Sequence, residues 1–472
     1  MVIYFMETKL NYKHLLGIGP LRSTGSKFLS FCSRNHGLLI FTTVVFFISA
    51  CRSEIVPEPF LPSYAHEAYQ YSLEQANLDR TALGRSWKEA GENALYKPED
   101  ITLPYQEEFY LDPAEVNAVG YRFFVLRGLR IEIEMTIHSA DSLQLFSDLF
   151  RQSGDPELEF TQVASANRDS LRLEFEPRRD SYYILRLQPE LLRGGRFRVL
   201  IREVPSIGFP VQGKNSRAIL SFFGNPRDAG KREHHGVDIF AVRHTPVLAP
   251  SDAEVTRVGE GEIGGRYVWL RDQKRSINMY FAHLQTQEVT PGTRVVAGQI
   301  IGTVGNTGNA RTTPPHLHFG IYSRGPIDPY HFIAETNRRP AGITGDSLFL
   351  GELVRSKQTI IVNNSPGSGN LPIDTIVQNS IMKITALTSN LYHILLPDGS
   401  SGYIAGNQIE MANNAIKEQI LTDAVRIFDT PGISAVCVTD IKPGEKFAVL
   451  GKFKNFIYGR TFEGRTGWIP SL

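Results

Sequence analysis

The sequence predicts a mainly β, multidomain chain, and three observations carry that prediction. Between residues 104 and 204, apolar and polar side chains alternate in several short runs, as in antiparallel strands with one face in a core. From 205 to 335, strand-like runs are separated by glycine turns at Gly259, Gly292, Gly298 and Gly305. Beyond 348, a turn-and-strand unit recurs at a fixed offset. The 472 residues exceed one typical domain, and about two to four are expected at that length.

The first segment lies outside the fold. Gly37 to Ala50 holds no acidic or basic side chain, and Leu38 to Ile48 is nearly all apolar, with Lys27 and Arg34 before it. That is the pattern of a secretory signal, too short for a comfortable bilayer-spanning helix of about 20 residues. Ile48-Ser49-Ala50-Cys51 resembles the lipobox of bacterial lipoproteins. The resemblance implies removal of residues 1–50, lipid attachment at Cys51, and a membrane-anchored protein of the bacterial cell envelope facing the periplasm or exterior. An uncleaved anchor is the rival reading. Of three cysteines, Cys32 would leave with the signal and Cys51 would be acylated. Cys437 then stands alone in the apolar run Ala435–Val438, where a buried thiol is expected. That leaves neither a disulfide nor a cysteine zinc site. Fifty Lys and Arg against 49 Asp and Glu give no argument for nucleic acid as a partner.

Residues 51–62, with Pro57, Pro59 and Pro62, read as a tether. Residues 63–98 carry Ala65, Tyr69, Leu73 and Ala76, then Leu83, Trp87 and Ala90, at helical spacing, with Ser63 as expected N-cap. Residues 104–204 form the alternating module: Leu129, Ile131, Ile133, Met135 and Ile137, then Leu171, Leu173 and Phe175, then Tyr183, Leu185 and Leu187, then Phe197, Val199 and Ile201. This predicts an antiparallel β-sandwich acting as spacer or binding module.

The chemistry is concentrated in 205–335. His316-Leu317-His318 lies downstream of His234-His235-Gly236-Val237-Asp238. A catalytic zinc needs three nitrogen or oxygen ligands and an open position. Alternate strand residues share a face roughly 6–7 Å apart, so His316 and His318 can look into one cleft. Fully extended, His234 and Asp238 would stand about 13 Å apart; Gly236 lets the backbone turn between them. Tyr280-Phe281-Ala282-His283-Leu284 adds a histidine at the end of a strand-like run. Strands are expected at Glu254–Val258, Tyr267–Leu270, Ile277–Phe281, Arg294–Val296 and His316–Tyr322. His235, His244, His331 and His393 receive no role, because a lone histidine is by default a surface or core residue.

The order H-x-G-x-D, Y-x-A-H-L, G-x-T-G and P-H-L-H-F resembles the lysostaphin-type, or LytM, zinc metallopeptidases over roughly 205–333. The resemblance implies a compact antiparallel β domain with a groove, zinc held by His234, Asp238 and His318, and a catalytic pair in His283 and His316. It implies hydrolysis of peptide bonds in peptidoglycan cross-links or stems. The Gly259–Arg266 hairpin, which walls the groove, is short beside that of longer members.

Residues 336–348 read as a linker. Asn364-Ser365-Pro366-Gly367 is then echoed by Asp429-Thr430-Pro431-Gly432, and Gly402-Tyr403-Ile404 by Gly467-Trp468-Ile469, both at an offset of 65. The units 349–410 and 415–472 resemble bacterial SH3-like domains, implying two small barrels that bind peptidoglycan, with Tyr403 and Trp468 expected in their cores. Two rival functions stand beside the peptidase: a non-catalytic or latent wall-binding or regulatory lipoprotein, and a zinc peptidase acting on proteins.

Overall fold

A computed structural model describes residues 62–139, 142–153, 160–166, 171–227, 230–335, 338–366, 371–432 and 435–471. The expected signal, the lipid site at Cys51 and the tether up to residue 61 lie outside the described residues. The chain from Leu61 onward packs as one unit.

The helical segment is two helices, Ala65–Gln75 and Ala82–Tyr96. Ser63 is not a side-chain cap; Tyr64 occupies the N-cap, and Ser63 donates its backbone N–H to Glu67 instead. The second helix starts where Thr81 Oγ1 accepts from the Gly84 N–H at 3.0 Å. Together the helices cover the outer face of a sheet. Trp87 is buried, its indole N–H donating to the Pro189 carbonyl at 2.9 Å, and Gln188 bridges His66 and the Trp87 carbonyl. This is why Ser181–Pro189 is buried on both faces while its inner residues Tyr183, Leu185 and Leu187 still follow the expected period.

Two sheets face each other across the core of residues 99–205. One runs Glu99–Asp100, Val119–Val125, Ser181–Pro189, Leu145–Gln152, Phe160–Ser165; the other runs Tyr105–Leu111, Gly195–Pro205, Leu129–His138, Arg172–Phe175. Apart from the parallel pair Glu99–Asp100 with Val119–Val125, the ladders are antiparallel. Leu129, Ile131, Ile133 and Met135 point inward and the residues between them do not, as period-2 alternation requires.

The next domain is built on a ten-stranded sheet whose main path is Ile219–Ser221, Val237–Phe240, His316–Tyr322, Ile277–Gln287, Gly265–Asp272, Ala253–Gly261, Arg294–Val295. A separate apolar core, including Val237, Phe281, Leu317 and Phe319, lies beneath it. Arg275 ties this domain to the sandwich, donating to Glu176, to the Ser206 carbonyl and to Asp272.

The C-terminal duplication is present. Ile360–Asn363, Pro372–Ile376, Ile381–Thr388 and Ser401–Ala405 recur as Val425–Phe428, Cys437–Ile441, Lys446–Phe453 and Thr466–Pro470 at the same offset of 65. Tyr403 and Trp468 are both buried. The expected SH3-like barrels are not formed: among the described residues no sheet closes on itself. In the first copy, Ile381–Thr388 pairs outward with the sandwich strand Tyr105–Leu111, Glu108 opposite Leu387 and Phe109 opposite Ala386, so its sheet continues the sandwich's. The second copy is an open six-stranded sheet from Lys417–Ile420 to Cys437–Ile441. Cys437 is exposed, contrary to expectation, because it begins that end strand with Val436 and Val438 also facing outward.

Candidate metal centre

Three neighbouring strands bring the site together. Val237–Phe240 pairs with His316–Tyr322, with Asp238 opposite His318, and on the other side Ala282 stands opposite His318. Register alone therefore sets Asp238, His318 and the turn into His283 side by side. His234 precedes its strand, held by its N–H to the Asn225 carbonyl at 2.9 Å. Gly236 does not act through a left-handed backbone: a Cβ there would stand 2.5 Å from the Phe319 carbonyl and 2.8 Å from the His318 ring. Its smallness makes room for the histidine.

His234 Nε2, Asp238 Oδ1 and His318 Nδ1 converge on one another at 2.9, 2.9 and 3.0 Å. His234 donates Nδ1–H to the Phe222 carbonyl at 2.9 Å, since a carbonyl only accepts. In the neutral ring its Nε2 is then a lone pair facing an ionised carboxylate oxygen and a second imidazole. The His234 lone pair and the Asp238 oxygen thus face each other at 2.9 Å, and a cation between them would relieve their repulsion. Atoms bound to one tetrahedral zinc at about 2.0–2.1 Å stand roughly 3.3 Å apart, within about half an ångström of these edges. The donor set fits zinc.

Two more histidines face the same groove. His283 donates Nδ1–H to the Thr307 carbonyl and His316 to the Pro314 carbonyl, both at 2.9 Å, which leaves each Nε2 as an acceptor in the neutral ring. Their rings lie 5.0 Å apart, and His283 lies 6.0 Å from His318. Burial, with the charges of His316 and His318, lowers the pKa of His283 to about 4. His283 also holds φ at 60°, unusual for a residue with a Cβ, where the strand Ile277–Gln287 bulges against Gly265–Asp272. The cavity is about 470 Å³, with Phe240, Ile263, Tyr280, Asn309 and Tyr322 in its wall. Burial pushes the Tyr280 hydroxyl up to about 12, so it stays a donor. Gly264, in the short turn from Gly261 to Gly265, leaves it space: a Cβ would come within 2.0 Å of that oxygen.

All five singled-out positions thus line one cavity. Sequence reading missed Arg227, whose Nη2 donates to Asp238 Oδ2 at 2.7 Å and to Ser221 Oγ at 2.6 Å. With Oδ2 engaged, Asp238 offers the cluster one oxygen.

Residues 232–329 match the family described as Peptidase family M23. The chain is 34% identical over 135 residues to an L-Ala--D-Glu endopeptidase of Bacillus subtilis, covering 26% of this chain and 41% of that protein. It is 39% identical over 94 residues to the peptidoglycan DD-endopeptidase ShyC of Vibrio cholerae, covering 20% and 21%. Among solved structures, the catalytic domain of lysostaphin from Staphylococcus simulans aligns at 33% identity and TM-score 0.22, over 24% of this chain and 87% of that one. The chain spans about two fifths or less of these two curated relatives. It contains an M23/LytM-family zinc-peptidase-like domain, with a His/His/Asp cluster consistent with a metal-dependent hydrolase.

Proposed function

We propose that this chain is a zinc-dependent endopeptidase that hydrolyses peptide bonds in peptidoglycan cross-links or stems. The observation that carries the reading is the convergence of His234, Asp238 and His318 within 3.0 Å, beside two histidines with free Nε2 atoms. His234, Asp238 and His318 would hold the metal. When bound, zinc supplies Lewis acidity to the attacking water and the scissile carbonyl. His283 and His316 do the proton work. One Nε2 takes the proton of the attacking water, and the other, once protonated, steadies the developing oxyanion or hands its proton to the departing amine. Neutral rings suit the first task, and burial keeps His283 neutral. The Tyr280 hydroxyl is a further donor in the groove wall.

The substrate class is supported by the names of the relatives, which act on L-Ala–D-Glu and peptidoglycan bonds. Lipid attachment at Cys51, on the sequence Ile48-Ser49-Ala50-Cys51, would hold the enzyme beside that substrate. Among the described residues no helix is long and apolar enough to cross a membrane.

The test is digestion of purified peptidoglycan, beside casein, by the purified chain. New amino termini from peptidoglycan, lost with chelator, restored by zinc and absent in His318→Ala, are expected. Cleavage of casein alone would overturn the substrate, and a folded, zinc-loaded chain that cuts neither would overturn the reading.

A further inference from the structure

The sheet face that carries the metal cluster continues beyond it. Across the ladders, Tyr280 stands opposite Gly320 and Trp269, Asn278 opposite Tyr322 and Arg271, and Arg257 opposite Trp269. Facing residues share a side of the sheet, and so do alternate residues along a strand. Tyr267, Trp269, Tyr280 and Tyr322 therefore stand on the side of His318, while Val268, Leu270, Phe281 and Phe319 fill the core on the other. The rings touch in series. Tyr280 lies 5.9 Å from the His318 ring, Trp269 4.6 Å from Tyr280, Tyr322 5.2 Å from Trp269, and Tyr267 5.8 Å from Tyr280.

Two glycines let rings lie down here. A Cβ at Gly320 would stand 2.9 Å from the Tyr322 ring, and one at Gly259 would stand 2.6 Å from the Tyr267 hydroxyl. A ring laid along a sheet turns one face to the backbone and the other outward. All four aromatics are half-buried. Tyr280 and Tyr322 already line the metal-site cavity, so its floor runs on to Trp269 through ring contacts.

Charge narrows the choice of occupant. Arg257 and Arg271 are exposed on this side, and among the described residues no ion pair reaches either. The acid in their rows, Glu254, stands between Arg271 and Arg294, so cations outnumber it. Aromatic faces attract ammonium groups, but guanidiniums beside them repel one. A sugar suits both features. The C–H bonds on one side of a pyranose make a flat apolar face for an aromatic ring, and its hydroxyl and acetamido oxygens accept from guanidinium.

We propose that this aromatic floor stacks a sugar ring of the glycan strand, so that the groove takes stem peptide and attached sugar together. The inference rests on the peptidase reading and narrows its substrate. Ring steps of 5.9 and 4.6 Å lead from His318 to Trp269, a reach of roughly three extended residues. The bond cut therefore lies in the part of the stem next to the sugar.

The zinc-loaded full chain is assayed on a disaccharide-peptide fragment of peptidoglycan and on the same peptide freed of its sugars. The sugar-bearing fragment is expected to show at least about tenfold higher kcat/KM, chiefly through KM. Trp269→Ala is expected to reduce that preference to about threefold or less, and Arg257→Ala to reduce it by a smaller factor. Product masses are expected to place the cut within about four residues of the sugar. Equal kcat/KM for the two fragments, a preference fully kept in Trp269→Ala, or cutting only farther from the sugar overturns the proposal. Should Trp269→Ala not fold, Trp269→Leu, which keeps apolar bulk without an aromatic face, decides it. A chain that cuts neither fragment defeats the peptidase reading, and calorimetry then judges the floor alone. Tighter binding of the sugar-bearing fragment by the parent but not by Trp269→Ala upholds it, and equal binding of both fragments overturns it.

Discussion

Arg227 Nη2 lies 2.7 Å from Asp238 Oδ2, on the far side of the carboxylate from the histidines. The guanidinium fixes which oxygen faces the cluster and how the carboxylate plane is turned. Such supporting contacts to a metal ligand are worth about 10–100-fold in metal affinity. Arg227→Ala is therefore expected to weaken zinc binding by that factor, with Arg227→Lys recovering part of it. Competition against a chromophoric chelator measures this, and an unchanged zinc affinity in Arg227→Ala would remove the assigned role.

His283 and His316 divide from the metal-holding residues by what their loss does. His283→Ala and His316→Ala are each expected to cut turnover by about 100-fold or more while leaving zinc bound, the usual scale for general acid–base groups. His318→Ala is expected to lose the zinc as well. Metal content and kcat measured on the same samples separate the two outcomes.

Gly236→Ala tests the close approach of chain to ligand. The added methyl would meet backbone oxygen at 2.5 Å and the His318 ring at 2.8 Å, and neither is the end of a flexible side chain. Overpacking of this kind costs about 1–3 kcal/mol. A lower melting temperature with weakened zinc binding is expected; retention of both would show that the strand can shift to absorb the methyl.

Stability should depend on pH through two buried groups of opposite sign. Burial, with the charge of Arg186, lowers His66 from 6.5 to about 4 in the folded chain. Between those values the unfolded chain holds the extra proton, so this contribution is present above 6.5 and lost as pH falls toward 4. Burial raises Glu107 from 4.5 to about 7, so its contribution is present below 4.5 and lost as pH rises toward 7. Melting curves from pH 4 to 7 should show a shallower acid-side loss in His66→Gln and a shallower alkaline-side loss in Glu107→Gln. Parallel curves for variants and parent would count against both assignments.

Local pattern made much of this molecule legible. Leu129 to Met135 announced their inward face by alternation, and His316-Leu317-His318 announced two side chains on one side of a strand. The 65-residue echo marked a duplication whose strands follow it. Arg227 carried no such mark, since a single arginine upstream of the histidines has neither period nor partner in sequence. Cys437 misled because an apolar run in an end strand looks the same as one in a core. The first barrel failed for a longer-range reason: closure depends on which edges find each other, and Ile381–Thr388 found Tyr105–Leu111.

That pairing joins Phe109 to Ala386, roughly 280 residues apart in sequence. A chain emerging amino terminus first at about 5–20 residues per second needs tens of seconds to deliver the second strand after the first. Throughout that interval the edge of Tyr105–Leu111 is open, and an open edge is a template for whichever strand arrives first. The peptidase-like domain, encoded between the two, is thus a long excursion whose return completes an older sheet. The final β-ladder contact of the upstream module is made late in synthesis, and the same strand from a neighbouring copy is its natural competitor.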